Sequence, residues 1–103
     1  MSSADTTTGI VSLRGKRVLV TQAGEFMGPV LCSVLAEAGA DVVADDSSLT
    51  DPDRPAAIVA KAGRVDVLVA NLALTAPSTA AGDVTDDEWQ EVFRHLVDPL
   101  PRL

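Results

Sequence analysis

The chain has 103 residues, of which 47% are hydrophobic and 22% are charged, and its formal net charge is −7. This length and composition are typical of one small globular domain with a modest core. The negative charge argues against nucleic acid and anionic membranes as partners, because both attract clusters of Lys and Arg. A single cysteine, Cys32, excludes an intramolecular disulfide, so we expect a reducing, cytoplasmic setting.

Residues 1–13 are rich in Ser and Thr, and we expect a disordered lead there, followed by a single domain over residues 14–103. The lead has no apolar core of the kind found in secretory signals. No apolar run approaches the roughly 18 residues of a membrane-spanning helix. No cluster of His and Cys predicts a metal site.

Strand and helix patterns alternate from residue 17 onward. Residues 17–21 form a short β-branched run that predicts a strand buried on both faces, as in a parallel sheet. Gly28 and Pro29 then open a helix with apolar residues at helical spacing, and Gly39 ends it. Residues 40–44 (Ala-Asp-Val-Val-Ala) predict the second strand.

The second half of the chain continues this alternation. Residues 47–55 are polar and contain two prolines, which indicates a loop, and residues 56–62 predict a short helix that stops at Gly63. Residues 65–71 (Val-Asp-Val-Leu-Val-Ala-Asn) predict a third buried strand. Thr85, followed by three acidic residues, fits the capping box of a last helix. The apolar face of that helix consists of Trp89, Val92, Phe93, Leu96 and Val97.

The element order βαβαβα predicts an α/β fold with a Rossmann-like, doubly wound parallel sheet. Only three strands are evident, and three parallel strands leave long open edges. We therefore expect the chain to be the N-terminal part of a larger domain, incomplete at its C-terminus, or a piece that folds with a complement.

The most informative segment is residues 21–28 (Thr-Gln-Ala-Gly-Glu-Phe-Met-Gly), between the first strand and the first helix. Dinucleotide-binding domains place a glycine-rich turn there, because the backbone must come close to a pyrophosphate. In this chain Gln22 and Phe26 stand at two of the glycine positions, and Gly28 is retained. We expect the Phe26 ring to project into the volume that a nicotinamide cofactor needs. The alternative is an ordinary core aromatic over the first strand.

Three segments resemble the N-terminal half of the short-chain dehydrogenase/reductase superfamily. They are residues 15–21 (Gly-Lys-Arg-Val-Leu-Val-Thr), 35–43 (Leu-Ala-Glu-Ala-Gly-Ala-Asp-Val-Val) and 63–71 (Gly-Arg-Val-Asp-Val-Leu-Val-Ala-Asn). Within that superfamily the chain is most similar to the halohydrin dehalogenases, whose fingerprint Thr-x4-Phe/Tyr-x-Gly is matched by Thr21, Phe26 and Gly28. The short connection after Asp46 resembles the B-type members and implies that one edge strand is missing or vestigial.

This resemblance implies chemistry without a cofactor. A vicinal haloalcohol closes to an epoxide and releases halide, and in reverse a small anion opens an epoxide. The family's catalytic Ser, Tyr and Arg set cannot lie in this chain, which contains no tyrosine, so these residues alone are expected to be inactive. The resemblance assigns Phe26, Gly28 and Leu74 to the halide and substrate pocket, beside a helix N-terminus suited to an anion.

Two alternatives stay open. One is a divergent oxidoreductase of the short-chain dehydrogenase type. It would hold NAD or NADP through Thr21, Gly24, Gly28, Asp46 and Asn71. Against it, the dehydrogenase motif Asn-Asn-Ala-Gly reads Ala-Asn-Leu-Ala at residues 70–73, the Asn of the dehydrogenase proton relay falls near Leu96, and Asp46 can equally be a solvated strand-end acid. The other alternative is a non-catalytic partner or pseudoenzyme.

The resemblance also implies partners. In the superfamily the last helix packs against its copy in a neighbouring subunit, so we expect a homo-oligomer. The stripe of Trp89, Phe93, Leu96 and Leu100 is expected to be core or subunit interface. The other partners are a small haloalcohol or epoxide, halide, and the missing C-terminal half or a complementary chain.

Overall fold

Strands and helices alternate along the chain as the sequence predicts. The structure, a computed structural model, describes residues 12–75 and 78–103. Its elements are β1 (Arg17–Val20), α1 (Gly28–Glu37), β2 (Asp41–Ala44), α2 (Arg54–Ala62), β3 (Val67–Val69) and α3 (Asp86–Leu96), with short 3₁₀ helices at Ala81–Asp83 and Leu100–Arg102. Most of the lead expected over residues 1–13 lies outside the described residues. Leu13, at its end, donates a backbone hydrogen bond to the Ala38 carbonyl at 2.9 Å.

The three strands form one parallel sheet in the order β2-β1-β3. Val18 of β1 pairs with Val42 of β2 on one side and with Val67 of β3 on the other. This topology confirms the α/β fold class and is that of a Rossmann-like fragment in βαβαβα order. No strand forms between β2 and α2, which agrees with the short connection in the sequence.

β1 lies at the centre of the sheet, and its side chains alternate between two buried faces. Val18, Leu19 and Val20 are all fully buried. The cluster on the first face contains Val18, Val20 and Ala23, with Cys32, Leu35, Ala40, Val42 and Val69 packed against it. The cluster on the second face contains Leu19, Leu49, Ile58 and Ala62. Helices α1 and α2 therefore cover opposite faces of the sheet, as right-handed crossovers require when the first runs from β1 to β2 and the second returns from β2 past β1 to β3.

Three helix ends follow the signals in the sequence, whereas α2 begins at Arg54, within the loop predicted over residues 47–55, because Pro55 fits the first turn of a helix. Pro29 lies in the first turn of α1, where its missing N–H costs no hydrogen bond. Gly39 follows α1 with a φ of +98°, a left-handed value that favours glycine and ends the helix. Thr85 caps α3, because its hydroxyl accepts a hydrogen bond from the Glu88 N–H at 3.2 Å.

The third strand is shorter and more exposed than the sequence predicts. It spans Val67–Val69 instead of residues 65–71, and its Val67 and Leu68 are 38% and 41% exposed. Within the described ranges β1 is the one strand that pairs with β3. The prediction of a third parallel strand is therefore confirmed, but its predicted burial is wrong, since among the described residues β3 is an edge strand whose side chains lack the neighbours that bury β1.

The apolar stripe of α3 is also exposed. Trp89 and Leu100 are 59% and 49% exposed, and Phe93 is 38% exposed. The stripe is thus not part of the core of the described chain, and its assignment to a subunit interface stays a prediction. None of the helices that the structure describes is long and apolar enough to cross a membrane.

Candidate functional site

A crevice opens at the carboxyl ends of β1 and β3. The chain leaves β1 towards β2 on one side, whereas β3 lies on the other side, so the strand order reverses between β1 and β3. Open α/β sheets bind ligands at such a switch point. We refer to residues 21–27 as the turn and to residues 71–75 as the β3 loop.

A cavity of about 440 Å³ lies between the turn and the β3 loop. It is lined by Glu25, Phe26, Leu72, Ala73, Leu74, Thr75 and Leu96. Among these side chains Glu25 alone is charged, and most of the others are apolar. Such a lining suits a small and largely apolar molecule better than a polyanion.

The turn has backbone conformations that favour glycine at two positions that carry side chains. Gln22 and Phe26 have φ values of +41° and +50°, in the left-handed region that favours glycine. These are the two positions at which the resemblance in the sequence implies glycine for a dinucleotide-binding turn. A residue with a side chain loses about 1–3 kcal/mol in such a conformation, so other contacts must stabilise the turn.

Buried polar side chains hold the turn against the β3 loop. Thr21 Oγ1 donates to the Asn71 carbonyl at 2.8 Å. Asn71 Nδ2 donates to the carbonyls of Gln22 and Glu25, both at 2.9 Å. Because Thr21 and Asn71 are buried, water does not compete for these hydrogen bonds, and the turn is fixed in place.

Two further contacts engage groups that a dinucleotide would need. The Gly24 N–H donates to Asp46 Oδ1 at 2.9 Å. Gln22 reaches across the crevice to Ala73, where its Oε1 accepts from the N–H at 3.0 Å and its Nε2 donates to the carbonyl at 3.2 Å. Asp46 and the side chain of Gln22 are therefore both bonded within the protein.

The backbone around position 28 leaves no room for a side chain. Gly28 is buried at the start of α1, and a Cβ atom there would lie 2.3 Å from the carbonyl oxygen of Ala23. Only glycine lets the helix begin so close to the turn. Gly28 lies beneath the turn and is not among the residues that line the cavity, although the sequence assigns it to the pocket.

Phe26 and Leu74 line the same cavity, from the turn and from the β3 loop. Phe26 is 77% exposed, so the alternative of a core aromatic over β1 is wrong. The physical reason is that side chains of α1 already cover that face of β1. Leu96 of α3 also lines the cavity, a role that sequence reasoning missed. The sequence predicts that Leu96 belongs to the core or to a subunit interface.

The residues of the oxidoreductase alternative also come together at this crevice. Thr21 and Gly24 belong to the turn, and Gly28 lies beneath it. Asp46 accepts a hydrogen bond from the turn, and Asn71 both donates to it and accepts from it. They are bonded mainly to one another and to the backbone of the turn. Their proximity therefore explains how the turn is held and does not by itself imply a ligand.

The clearest pKa shift among the described groups lies at the other end of the sheet. The Arg17 backbone N–H donates to Asp66 Oδ2 at 2.8 Å, and this bond lowers the pKa of Asp66 below its ordinary value of 3.8. Partial desolvation opposes the shift, whereas the Arg64 guanidinium lowers the pKa further. Asp66 precedes β3, so it ties the beginnings of β1 and β3 together and takes no part in the crevice.

Two other cavities, of about 480 and 330 Å³, border α3. The larger is lined by Asp87, Gln90, Glu91, Phe93, Arg94 and Asp98. The smaller shares Leu74 and Thr75 with the crevice. The larger cavity lies along the surface of a single helix rather than at the ends of the strands, so the crevice is the better candidate site.

No group of His, Cys, Asp and Glu within residues 12–75 and 78–103 could hold a metal ion. The sequence matches no protein-family model and none of the curated proteins. The geometry of the crevice and the residues of the turn therefore carry the functional proposal.

Proposed function

We propose that the chain is the N-terminal part of a halohydrin-dehalogenase-like protein whose crevice takes a small haloalcohol or epoxide together with halide. The observation that carries this proposal is the placement of Phe26 and Leu74 on one cavity at the switch point of the sheet. The resemblance in the sequence assigns both residues to the pocket, and they come from separate segments.

The chemistry of the lining supports this function. Leu72, Leu74 and Leu96 offer an apolar surface to the carbon skeleton of a haloalcohol. The edge of the Phe26 ring carries positive partial charge and attracts a halide. The Glu25 carboxylate at the same cavity repels an anion, so the affinity for free halide is weak, and Glu25→Gln strengthens it.

The reaction that the resemblance implies needs a base and no cofactor. The base takes the hydroxyl proton, the alkoxide oxygen attacks the neighbouring carbon, and the carbon–halogen bond breaks as halide leaves. In the family the base is a Tyr assisted by Ser and Arg. Because this chain contains no tyrosine, it supplies one wall of the pocket, and a further segment or a second chain supplies the base.

The residues of the crevice do not fit NAD or NADP. The Gln22 carboxamide occupies the space between the turn and Ala73, and Asp46 is bonded to the Gly24 N–H. A dinucleotide would have to displace both contacts, and the Phe26 side chain as well. This disagreement weighs against the oxidoreductase alternative.

Titration with bromoethanol and with NADH, followed through backbone amide resonances, separates these two functions. We expect bromoethanol to shift the amides of Phe26 and Leu74 with a Kd on the order of 1 mM, because so small a ligand gains at best about 1.5 kcal/mol per heavy atom. We expect no saturable response to NADH. Saturation by NADH at micromolar concentration, with shifts at Gly24 and Asp46, supports the oxidoreductase instead.

A matched pair of variants tests the role of the ring. Phe26→Ala is expected to weaken bromoethanol binding about fivefold, which corresponds to about 1 kcal/mol. Met27→Ala is the control, because Met27 is 50% exposed and does not line the cavity. Equal effects of the two variants contradict the proposed role of Phe26.

Exposed apolar side chains favour a second candidate, a non-catalytic chain that binds another chain. Met27, at the end of the turn, and Val30 and Val34 of α1 are 50%, 62% and 56% exposed. A chain of this kind needs no ligand in the crevice. Self-association or partner binding without any response to bromoethanol favours it over the dehalogenase-like function.

A further inference from the structure

The Gln22 carboxamide bridges the crevice with two hydrogen bonds to a single residue. Its Oε1 accepts from the Ala73 N–H at 3.0 Å, and its Nε2 donates to the Ala73 carbonyl at 3.2 Å. A carboxamide offers one acceptor and two donors, and so matches both backbone groups of a residue in extended conformation. Gln22 is 9% exposed, so these bonds lie in a largely buried place.

The backbone of Gln22 is strained, with a φ of +41° at which glycine would be relaxed. Its carbonyl accepts from Asn71 Nδ2 at 2.9 Å and from the Glu25 N–H at 3.0 Å. Asn71 and Glu25 could make these two bonds to a glycine as well. The bonds that require a side chain at this position are the two to Ala73.

We propose that Gln22 is a positioning residue that clasps the β3 loop to the turn and thereby fixes the width of the cavity. Ala73 directly precedes Leu74, and Phe26 lies in the same turn as Gln22, so the clasp holds both of these cavity-lining residues. Gln22 does not line the cavity and acts through Ala73. The clasp also fills space that a dinucleotide-binding turn leaves as bare backbone.

The clasp belongs to the unliganded chain, so its test needs no ligand. Gln22→Gly removes the side chain and relieves the positive φ, and this variant is expected to keep its sheet. Hydrogen exchange at the Ala73 amide should accelerate at least about tenfold, whereas the amides of β1 keep their protection. Protection factors from NMR measure both in one experiment.

Gln22→Glu gives a readout that a merely structural role would not produce. The ionised carboxylate turns an oxygen towards the Ala73 carbonyl and repels it, whereas the protonated acid donates to that carbonyl as the amide does. Burial and the carboxylates of Glu25 and Asp46, which belong to or contact the turn, raise the pKa of the introduced acid. Protection of the Ala73 amide should therefore be higher below that pKa, where both bonds to Ala73 form, than above it, where only the bond from the Ala73 N–H remains.

Three outcomes overturn the proposal. The first is unchanged Ala73 protection in Gln22→Gly. The second is a protection factor at Ala73 that does not change with pH in Gln22→Glu. The native chain is the control, and its protection factor at Ala73 is expected not to change with pH. The third is loss of protection throughout β1 in Gln22→Gly, because Gln22 would then stabilise the whole sheet. Failure of bromoethanol to bind the native chain counts against the proposed function alone.

Discussion

Two residues of the turn, Gln22 and Phe26, adopt backbone conformations that favour glycine. Each conformation costs free energy in a residue with a side chain, and the hydrogen bonds of Gln22 to Ala73 offset that cost. Phe26 is 77% exposed, so burial of its ring does not offset the cost within the described chain. An exposed aromatic in a strained conformation beside a cavity agrees with the proposed role of Phe26 in contacting a ligand.

Gly28→Ala tests whether the contact between the start of α1 and the turn has room for a side chain at position 28. The new Cβ would meet the backbone of Ala23 at 2.3 Å, so the start of α1 must shift, and we expect a loss of about 2–3 kcal/mol in the free energy of unfolding. Gly82→Ala is the matched control, because a Cβ there meets no atom within 4 Å. Urea unfolding followed by circular dichroism compares the two, and equal stabilities would contradict the steric account.

The position of the turn could be predicted from the sequence, because a buried strand, two glycines and a helix-opening proline surround it. The clasp could not. Gln22 and Ala73 are far apart in the chain, and only the pairing of β1 with β3 brings them together. The polar residue at a glycine position was the available signal, and it indicates a partner without identifying it.

Among the elements, α3 depends most on its own local signals. Its Trp89 and Phe93 rings lie 5.1 Å apart between centroids and are both exposed. Acidic residues in its first turn and basic residues in its last turn complement the helix dipole. A helix of 11 residues with none of them buried is only marginally stable, so the hydrogen bond at its N-cap is important.

Thr85→Ala is expected to destabilise α3 by about 1 kcal/mol, because the hydroxyl that accepts from the Glu88 N–H is lost. The carbon chemical shifts of α3 should move towards random-coil values, while those of β1 stay unchanged. Thr85→Ser retains the acceptor and should behave as the native chain. A loss of helix in Thr85→Ser as large as in Thr85→Ala contradicts the capping role.

Asp66 provides a pH test at the start of β3. Its folded-state pKa is depressed, so its stabilising effect is present above its ordinary value of 3.8 and is lost as the pH falls through the lower folded-state pKa. Asp66→Asn should therefore lower the urea midpoint at neutral pH, and the difference from the native chain should narrow below about pH 4. Asp98→Asn controls for the change of charge, and a difference that is constant with pH refutes the assignment.

The ends of the elements were predictable where a local signal sets them, as at Gly39 and Thr85. The burial of β3 was not predictable. Its sequence has the apolar run of a strand covered on both faces, but burial depends on which neighbours are present. Val67 and Leu68 would be buried only if a further strand and helix packed beyond β3.

At the scale of the whole molecule, apolar surface remains open on α1, β3 and α3. It includes Phe26, Met27, Val30, Val34, Val67, Leu68, Trp89, Phe93, Val97 and Leu100. Monomeric proteins rarely expose large contiguous apolar patches. A further α/β segment beyond β3, or a second subunit against α3, would cover this surface, and both agree with the proposed larger protein.

We expect the 103-residue chain to self-associate through α3. Trp89→Lys should lower the apparent mass in sedimentation velocity, because Trp89 is the most exposed residue of the apolar stripe, at 59%. Val84→Lys makes the same change of charge outside the helix and should have little effect. A native chain that sediments as a monomer at about 100 μM excludes the interface on α3.

The central claim is that the crevice is closed to a dinucleotide and open to a small molecule. Isothermal titration of NADH into the native chain and into Phe26→Gly tests it most directly. We predict no saturable heat in either up to about 1 mM, because Gln22 still bridges to Ala73 after the ring is removed. A micromolar Kd for NADH in either protein would contradict the claim.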